Sequence, residues 1–221
     1  MYLSGLQNIL VKDGSIYLNG YMSYRIVADY TNYSLVMKLD YNDGHTVWMN
    51  QYYENGGSII MGNMIAEDST LLIASICSPV VPGTYTIGSI LRLDTSGAIR
   101  SVTSINAISK YYAMKPVLKR ISGKHYYLLS AGFEPLTLQP YISNQTKLAK
   151  LDSNFNVIWS KHHAAVQLGQ YSYMEPDSDE SLVMAGNENG NLLEYYYSFS
   201  AKIVVRKLDS SGTEPMTGCQ L

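Results

Sequence analysis

Residues able to do chemistry are thinly spread in this chain. His162 and His163 are adjacent and could offer two nitrogens to a metal. They sit in a run with strand character, where successive side chains point to opposite faces, so the pair does not converge on one ion. The acidic run Asp177-Ser178-Asp179-Glu180 lacks the ligand spacing and the glycine of a calcium loop and reads as a solvated turn. Cys77 and Cys219 show no metal or disulfide spacing and read as buried free thiols. Four aspartates, Asp40, Asp94, Asp152 and Asp209, invite the idea of a carboxylate ring. Each directly precedes turn residues, however, where an Asp side chain accepts backbone N–H groups and fixes the corner. A Gly-rich phosphate loop, a nucleophile elbow and a His-Glu zinc motif are all missing. The expectation is no catalytic residue, no metal and no cofactor.

The aspartates do reveal the architecture. Lys38-Leu39-Asp40 returns as Arg92-Leu93-Asp94, Lys150-Leu151-Asp152 and Lys207-Leu208-Asp209, at intervals of 54, 58 and 57 residues. That period is too long for a helical solenoid and suits a small antiparallel sheet used repeatedly. Within each repeat, short apolar runs alternate with turn residues. Strand C ends at the Asp (34–39, 87–93, 148–151, 203–208). A tight turn leads to strand D (46–49, 98–103, 157–161), with Trp48 and Trp159 in matching places. Strand B (15–21, 70–76, 125–130, 181–185) lies upstream, and strand A precedes it across a polar hairpin such as Lys12-Asp13-Gly14.

Four hairpin-linked strands per unit predict an all-β fold, a β-propeller of four four-stranded antiparallel blades, either closed or a segment of a larger ring. A single domain over 1–221 is expected, with units at about 5–50, 51–105, 106–163 and 164–217. The run from Lys150 through Trp159 to Lys161 resembles the Lys-Leu-Asp, turn, Trp, Lys signature of bacterial SBBP-type propeller repeats. The phrase Asp13-Gly14-Ser15-Ile16-Tyr17-Leu18-Asn19-Gly20 is similar to their strand B phrase. Such repeats occur in cell-surface and secreted proteins, so the resemblance implies a scaffold without naming its task. The second unit lacks the Trp, and the last strand D carries Pro215 instead, which favours an edge.

A formal net charge of -2 and the lack of any basic cluster speak against nucleic acid. With 46% hydrophobic and 15% charged residues the chain reads as globular. Its longest apolar runs fall far short of the roughly 20 residues of a membrane helix, and no signal peptide is visible at Met1. The chain holds 20 Tyr against 3 Phe and 2 Trp. Tyr30, Tyr33, Tyr85, Tyr141, Tyr195, Tyr196 and Tyr197 fall in long B–C segments read as loops (22–33, 78–85, 133–145, 187–198), where binding usually resides. Two N-glycosylation patterns, Asn32-Tyr33-Ser34 and Asn144-Gln145-Thr146, fall there too.

Tyr offers wide contact area with few rotatable bonds, so these seven are the expected ligand-binding residues. The competing role for each ring is to pack its loop onto the blade. The expected function is a non-enzymatic binding or adhesion module, extracellular or at the cell surface, that recognises a protein or glycan. The alternatives are a self-assembling structural subunit, with self-association through blade edges, or a propeller-type polysaccharide lyase or hydrolase.

Overall fold

The computed structural model describes residues 2–26, 29–52, 57–79, 87–105, 116–135, 142–164, 170–189 and 201–214. Among these, fifteen strands and one short 3-10 turn (Ser122–Lys124) form four antiparallel sheets. Blade 1 is β1 (Tyr2–Lys12), β2 (Ser15–Ile26), β3 (Asp29–Asp40) and β4 (Thr46–Tyr52). Blade 2 is β5 (Gly57–Glu67), β6 (Thr70–Pro79), β7 (Ile87–Asp94) and β8 (Ile99–Ile105). Blade 3 is β9 (Val117–Arg120), β10 (Tyr126–Pro135), β11 (Ile142–Leu151) and β12 (Val157–Ala164). Blade 4 shows β13 (Gln170–Pro176), β14 (Leu182–Asn189) and β15 (Ala201–Leu208). Strands neighbour one another in chain order within every sheet, the A-B-C-D meander read from the repeats. The chain divides into two compact units, Met1–Asn106 and Ala107–Leu221, each holding two blades.

Turn chemistry sets the corners. The blade 1 hairpin places Asp13 and Gly14 at φ 49° and 67°, the paired left-handed geometry of a two-residue turn that matches strand twist. In each C–D turn the Asp carboxylate receives the backbone: Asp94 Oδ1 accepts from the N–H of Ser96 at 2.8 Å and of Ala98 at 3.0 Å, and Asp152 and Asp209 repeat the pattern. The turn reading of these aspartates is correct, and their carboxylates are engaged as caps.

Where they are described, the segments read as long B–C loops are strand. In blade 1, β2 and β3 stay in register out to Ile26 opposite Asp29, so the expected loop 22–33 is a paired arm. In blade 3, β10 and β11 pair out to Pro135 opposite Ile142. Polar and aromatic residues alternating along an arm lack the apolar run that marks a core strand, which is why they read as loop.

Every blade has two apolar faces, and the repeat dictates how they mate. The front face carries Leu71 and Ile73 in blade 2 and Leu182 and Met184 in blade 4, while the back face carries Tyr17 and Val36 in blade 1 and Tyr127 and Leu148 in blade 3. In the first unit the back of blade 1 packs on the front of blade 2, with Tyr17, Val36 and Tyr52 against Met61, Met64, Leu71, Ile73, Leu91 and Leu93. The second unit repeats this, with Tyr127, Leu129 and Leu148 of blade 3 against Met174, Leu182, Met184 and Leu208 of blade 4. Of the four signature leucines, Leu93, Leu151 and Leu208 are fully buried, whereas Leu39 is only half-buried.

Candidate functional site

The A–B and C–D end of the blades is committed to structure. Trp48 on β4 donates from Nε1 to the Thr95 carbonyl at 3.0 Å and lies over the C–D turn of blade 2. Tyr52 Oη and Asn50 Nδ2 both donate to the Gly97 carbonyl, at 2.6 and 3.3 Å. In the second unit Trp159 takes the same seat over Gly212, beside Tyr127 at a ring separation of 5.8 Å. Tyr127 Oη donates to the Glu180 carbonyl at 2.7 Å, and burial pushes its pKa up to about 12, so it remains a donor. Glu180 is held as a carboxylate by Lys150 at 2.6 Å, which together with the Ser122 hydroxyl lowers its pKa. The Trp of the repeat signature is thus a clasp between successive blades, anchored on a turn of the following repeat.

Other chemistry read from the sequence resolves into the same scaffold. His162 is exposed and the neighbouring His163 half-buried on β12, consistent with opposite faces, and burial lowers the pKa of His163. Asp177 and Asp179 cap the turn that they flank, accepting from the N–H groups of Ser178 and Ser181. Asp40, Asp43 and His45 bring three ligand-type atoms within 4.8 Å, a cluster the sequence reading passed over. Asp43 Oδ1 already accepts from the backbone N–H of His45 and meets its Nδ1 at 2.6 Å, so this too is a turn cap. The glycosylation patterns lie in paired strand with buried hydroxyls at Ser34 and Thr146, which leaves them poorly presented for modification.

The opposite, B–C end is where the expected tyrosines belong. Tyr30 and Tyr33 lie on β3, opposite Arg25 and Met22, and Tyr33 is half-buried. Tyr85, Tyr141, Tyr195, Tyr196 and Tyr197 lie outside the described residues. Tyr52, at the end of β4, is a buried clasp residue.

Three carboxyl residues that the sequence reading did not single out have their backbone at this same end. Asp29 opens β3, Glu134 lies on β10 opposite Ser143, and Glu188 lies on β14 opposite Lys202. Glu134 and Glu188 belong to the same unit, on equivalent strands of its two blades. Unlike the turn aspartates, they sit where a strand leaves the sheet toward a connection. Their signal was a carboxyl within a segment taken for loop.

No protein-family model matches this chain, and no curated protein is similar to it in sequence. Solved structures do match. Cellvibrio cellulosa α-L-arabinanase is 12% identical with a TM-score of 0.53, over 93% of this chain and 74% of that one. An exo-1,5-α-L-arabinanase from a bovine ruminal metagenomic library is 12% identical with a TM-score of 0.51, over 96% and 77%. The Bacteroides ovatus xyloglucan PUL GH43B is 12% identical with a TM-score of 0.52, over 95% of this chain but only 42% of that one. The fold is a four-bladed β-propeller. Among the described residues no helix is long and apolar enough to cross a membrane. The expectation of a non-enzymatic binding or adhesion module is overturned here, together with the expectation of no enzymatic activity. Two of the propellers that this one matches along nearly its whole length are named as arabinanases, which are enzymes. The sequence pointed the other way because its readable carboxylates are all turn caps.

Proposed function

We propose that this chain is a propeller glycoside hydrolase acting on a polysaccharide, with an arabinan as the first substrate to test. The observation that carries the reading is the fold likeness to arabinanases over 93 to 96% of the chain. Since a fold hosts many activities, the chemistry has to come from named residues. Glycoside hydrolysis needs two carboxyl groups flanking the scissile bond, one protonated to release the leaving oxygen and one ionised to act as nucleophile or to activate water. Glu134 and Glu188 are the residues proposed for this pair. They share a unit and the B–C end of their strands.

The tyrosines keep a role within this reading. Tyr30 and Tyr33, with Tyr85, Tyr141 and the Tyr195-Tyr196-Tyr197 run, would supply ring faces on which sugar units stack. A polysaccharide substrate fits action outside the cell or at its surface, the setting that the likeness to surface and secreted propeller repeats also suggests.

The test is reducing-sugar release from a polysaccharide panel by the wild type, Glu134→Gln and Glu188→Gln. Loss of an acid or base should lower turnover by about 100- to 10,000-fold, with the unfolding midpoint unchanged. Replacing Tyr195, Tyr196 and Tyr197 together by Ser should raise KM more than it lowers kcat. Full activity in both Gln variants would exclude this pair.

A further inference from the structure

The two units treat one pair of equivalent positions differently. In the first unit Ser34 on β3 and Tyr52 on β4 stand opposite each other, and both reach blade 2. The Ser34 hydroxyl donates to the Ile59 carbonyl at 2.5 Å, and Tyr52 Oη donates to the Gly97 carbonyl at 2.6 Å. In the second unit Thr146 on β11 and His163 on β12 hold the same place, again directly opposite. Thr146 is fully buried, and among the described residues neither its Oγ1 nor His163 Nε2 finds a hydrogen-bond partner, although both atoms are shielded from solvent. Buried polar atoms are as a rule paired with protein, water or a ligand.

The charges around this pair also set the second unit apart. Lys161 stands opposite Leu148 as Asn50 stands opposite Val36, and Arg206 stands opposite Met184 as Leu91 stands opposite Ile73. Two neutral side chains of the first junction are therefore cations in the second. Glu214 answers one of them, at 2.6 Å from Arg206. Lys161 Nζ donates to the Thr213 hydroxyl at 2.5 Å, and the Asp209 carboxylate near it is engaged by its own turn. Burial lowers the pKa of His163; of the charged groups acting on the ring, Arg206, Lys161 and His162 oppose the imidazolium and Glu214 alone favours it. Positive charge is thus in surplus where the two hydrogen bonds are unmade.

We propose that Thr146, His163, Lys161 and Arg206 form a binding site for an oxyanion group, a sulfate or a sugar-borne carboxylate, in the junction between blades 3 and 4. Thr146 and His163 supply hydrogen bonds, and Lys161 and Arg206 supply charge. Hydroxyl, imidazole, ammonium and guanidinium are all donors, and donors of this kind bind an ionised oxygen more strongly than a neutral one. A bound anion favours the imidazolium, so His163 donates from Nε2 when the site is filled. All four residues belong to one unit. The site goes beyond the hydrolase reading and does not depend on it.

The test is titration calorimetry with sodium sulfate and, separately, sodium glucuronate, at an ionic strength held constant with sodium chloride so that screening does not change. The wild type should bind at least one of them saturably. Sulfate alone marks a site for a free ion, and tighter binding of glucuronate marks one for a sugar-borne carboxylate. Thr146→Val removes the hydroxyl at nearly constant shape, and His163→Gln removes the imidazole. Each should weaken binding by about tenfold or more, the scale of a lost hydrogen bond to a charged group. Thr146→Ser, which keeps the hydroxyl, and His162→Gln, on the opposite face of β12, should bind as the wild type does. Should Thr146→Val fail to fold, the wild-type imidazole spectrum decides: the His163 resonance, identified by its loss in His163→Gln, should shift saturably with the same affinity. No saturable binding of either anion by the folded wild type, a His163 resonance that does not move, or binding that Thr146→Val and His163→Gln both leave intact would each overturn the proposal.

Discussion

Replacing Gly97 by Ala tests the clasp between blades 1 and 2, and Gly44 provides a control within the same protein. Both glycines close a C–D turn at positive φ, 82° for Gly97 and 72° for Gly44. An alanine in that left-handed conformation costs about 1–2 kcal/mol at either site. The surroundings differ. A Cβ on Gly97 would stand 2.4 Å from Asn50 Nδ2 and 2.9 Å from two carbons of the Trp48 ring, whereas Gly44 has nothing within 4 Å. The Asn50 amide can swing aside, but Trp48 is tied by its bond to Thr95 and backed by Tyr17, so the ring must be displaced. Forcing a methyl into such a contact costs about 1–3 kcal/mol. Gly97→Ala should therefore be more destabilising than Gly44→Ala by about 1–3 kcal/mol, and near this chain length each kcal/mol moves Tm by about 2–4 °C. Denaturant and thermal unfolding of the two variants give the difference directly. In a Trp48→Ala background the excess should vanish, because only the backbone penalty remains. Equal losses at the two glycines, or an excess that survives removal of Trp48, would refute the clasp.

Leu151→Ala should lower stability by about 2–5 kcal/mol, as for a buried leucine truncation, and Leu39→Ala should cost clearly less because its side chain is half-buried; urea midpoints of the two variants check the order. Acid should weaken the fold through the C–D turns. The Ser96 hydroxyl and the turn N–H groups hold the Asp94 pKa down to about 2 from 3.8, and Asp152 and Asp209 are lowered in the same way by Asn156 and Ser211. A depressed carboxylate pKa adds stability above the unfolded value that is lost as pH falls through the folded one. Tm should accordingly hold above pH 3.8 and fall toward pH 2, and Asp94→Asn should flatten part of that fall; a Tm independent of pH across this window would contradict the capping role.

The scaffold was legible because its determinants are local. The Asp before each turn announces the end of strand C, and Trp48 and Trp159 mark strand D by their distance from it. What those rings rest on could not be read, since the seat of Trp48 lies on Gly97, in the next repeat. Strand B of blade 2 could be read as a strand but not oriented, because Leu71, Leu72, Ile73 and Ala74 are all buried and no alternation survives. The arms of blades 1 and 3 were missed because residues 22–33 and 133–145 lack an apolar run. Glu134 and Glu188 were passed over with them.

The claim that this propeller cuts glycans stands or falls on turnover. Purified protein incubated with arabinan and related polysaccharides, with the products separated chromatographically and their reducing ends quantified, tests it most directly. The account predicts new reducing ends accumulating with time in the wild type and lost in Glu134→Gln and Glu188→Gln. Release from no polysaccharide by folded wild-type protein would contradict it, as would release that both variants retain in full.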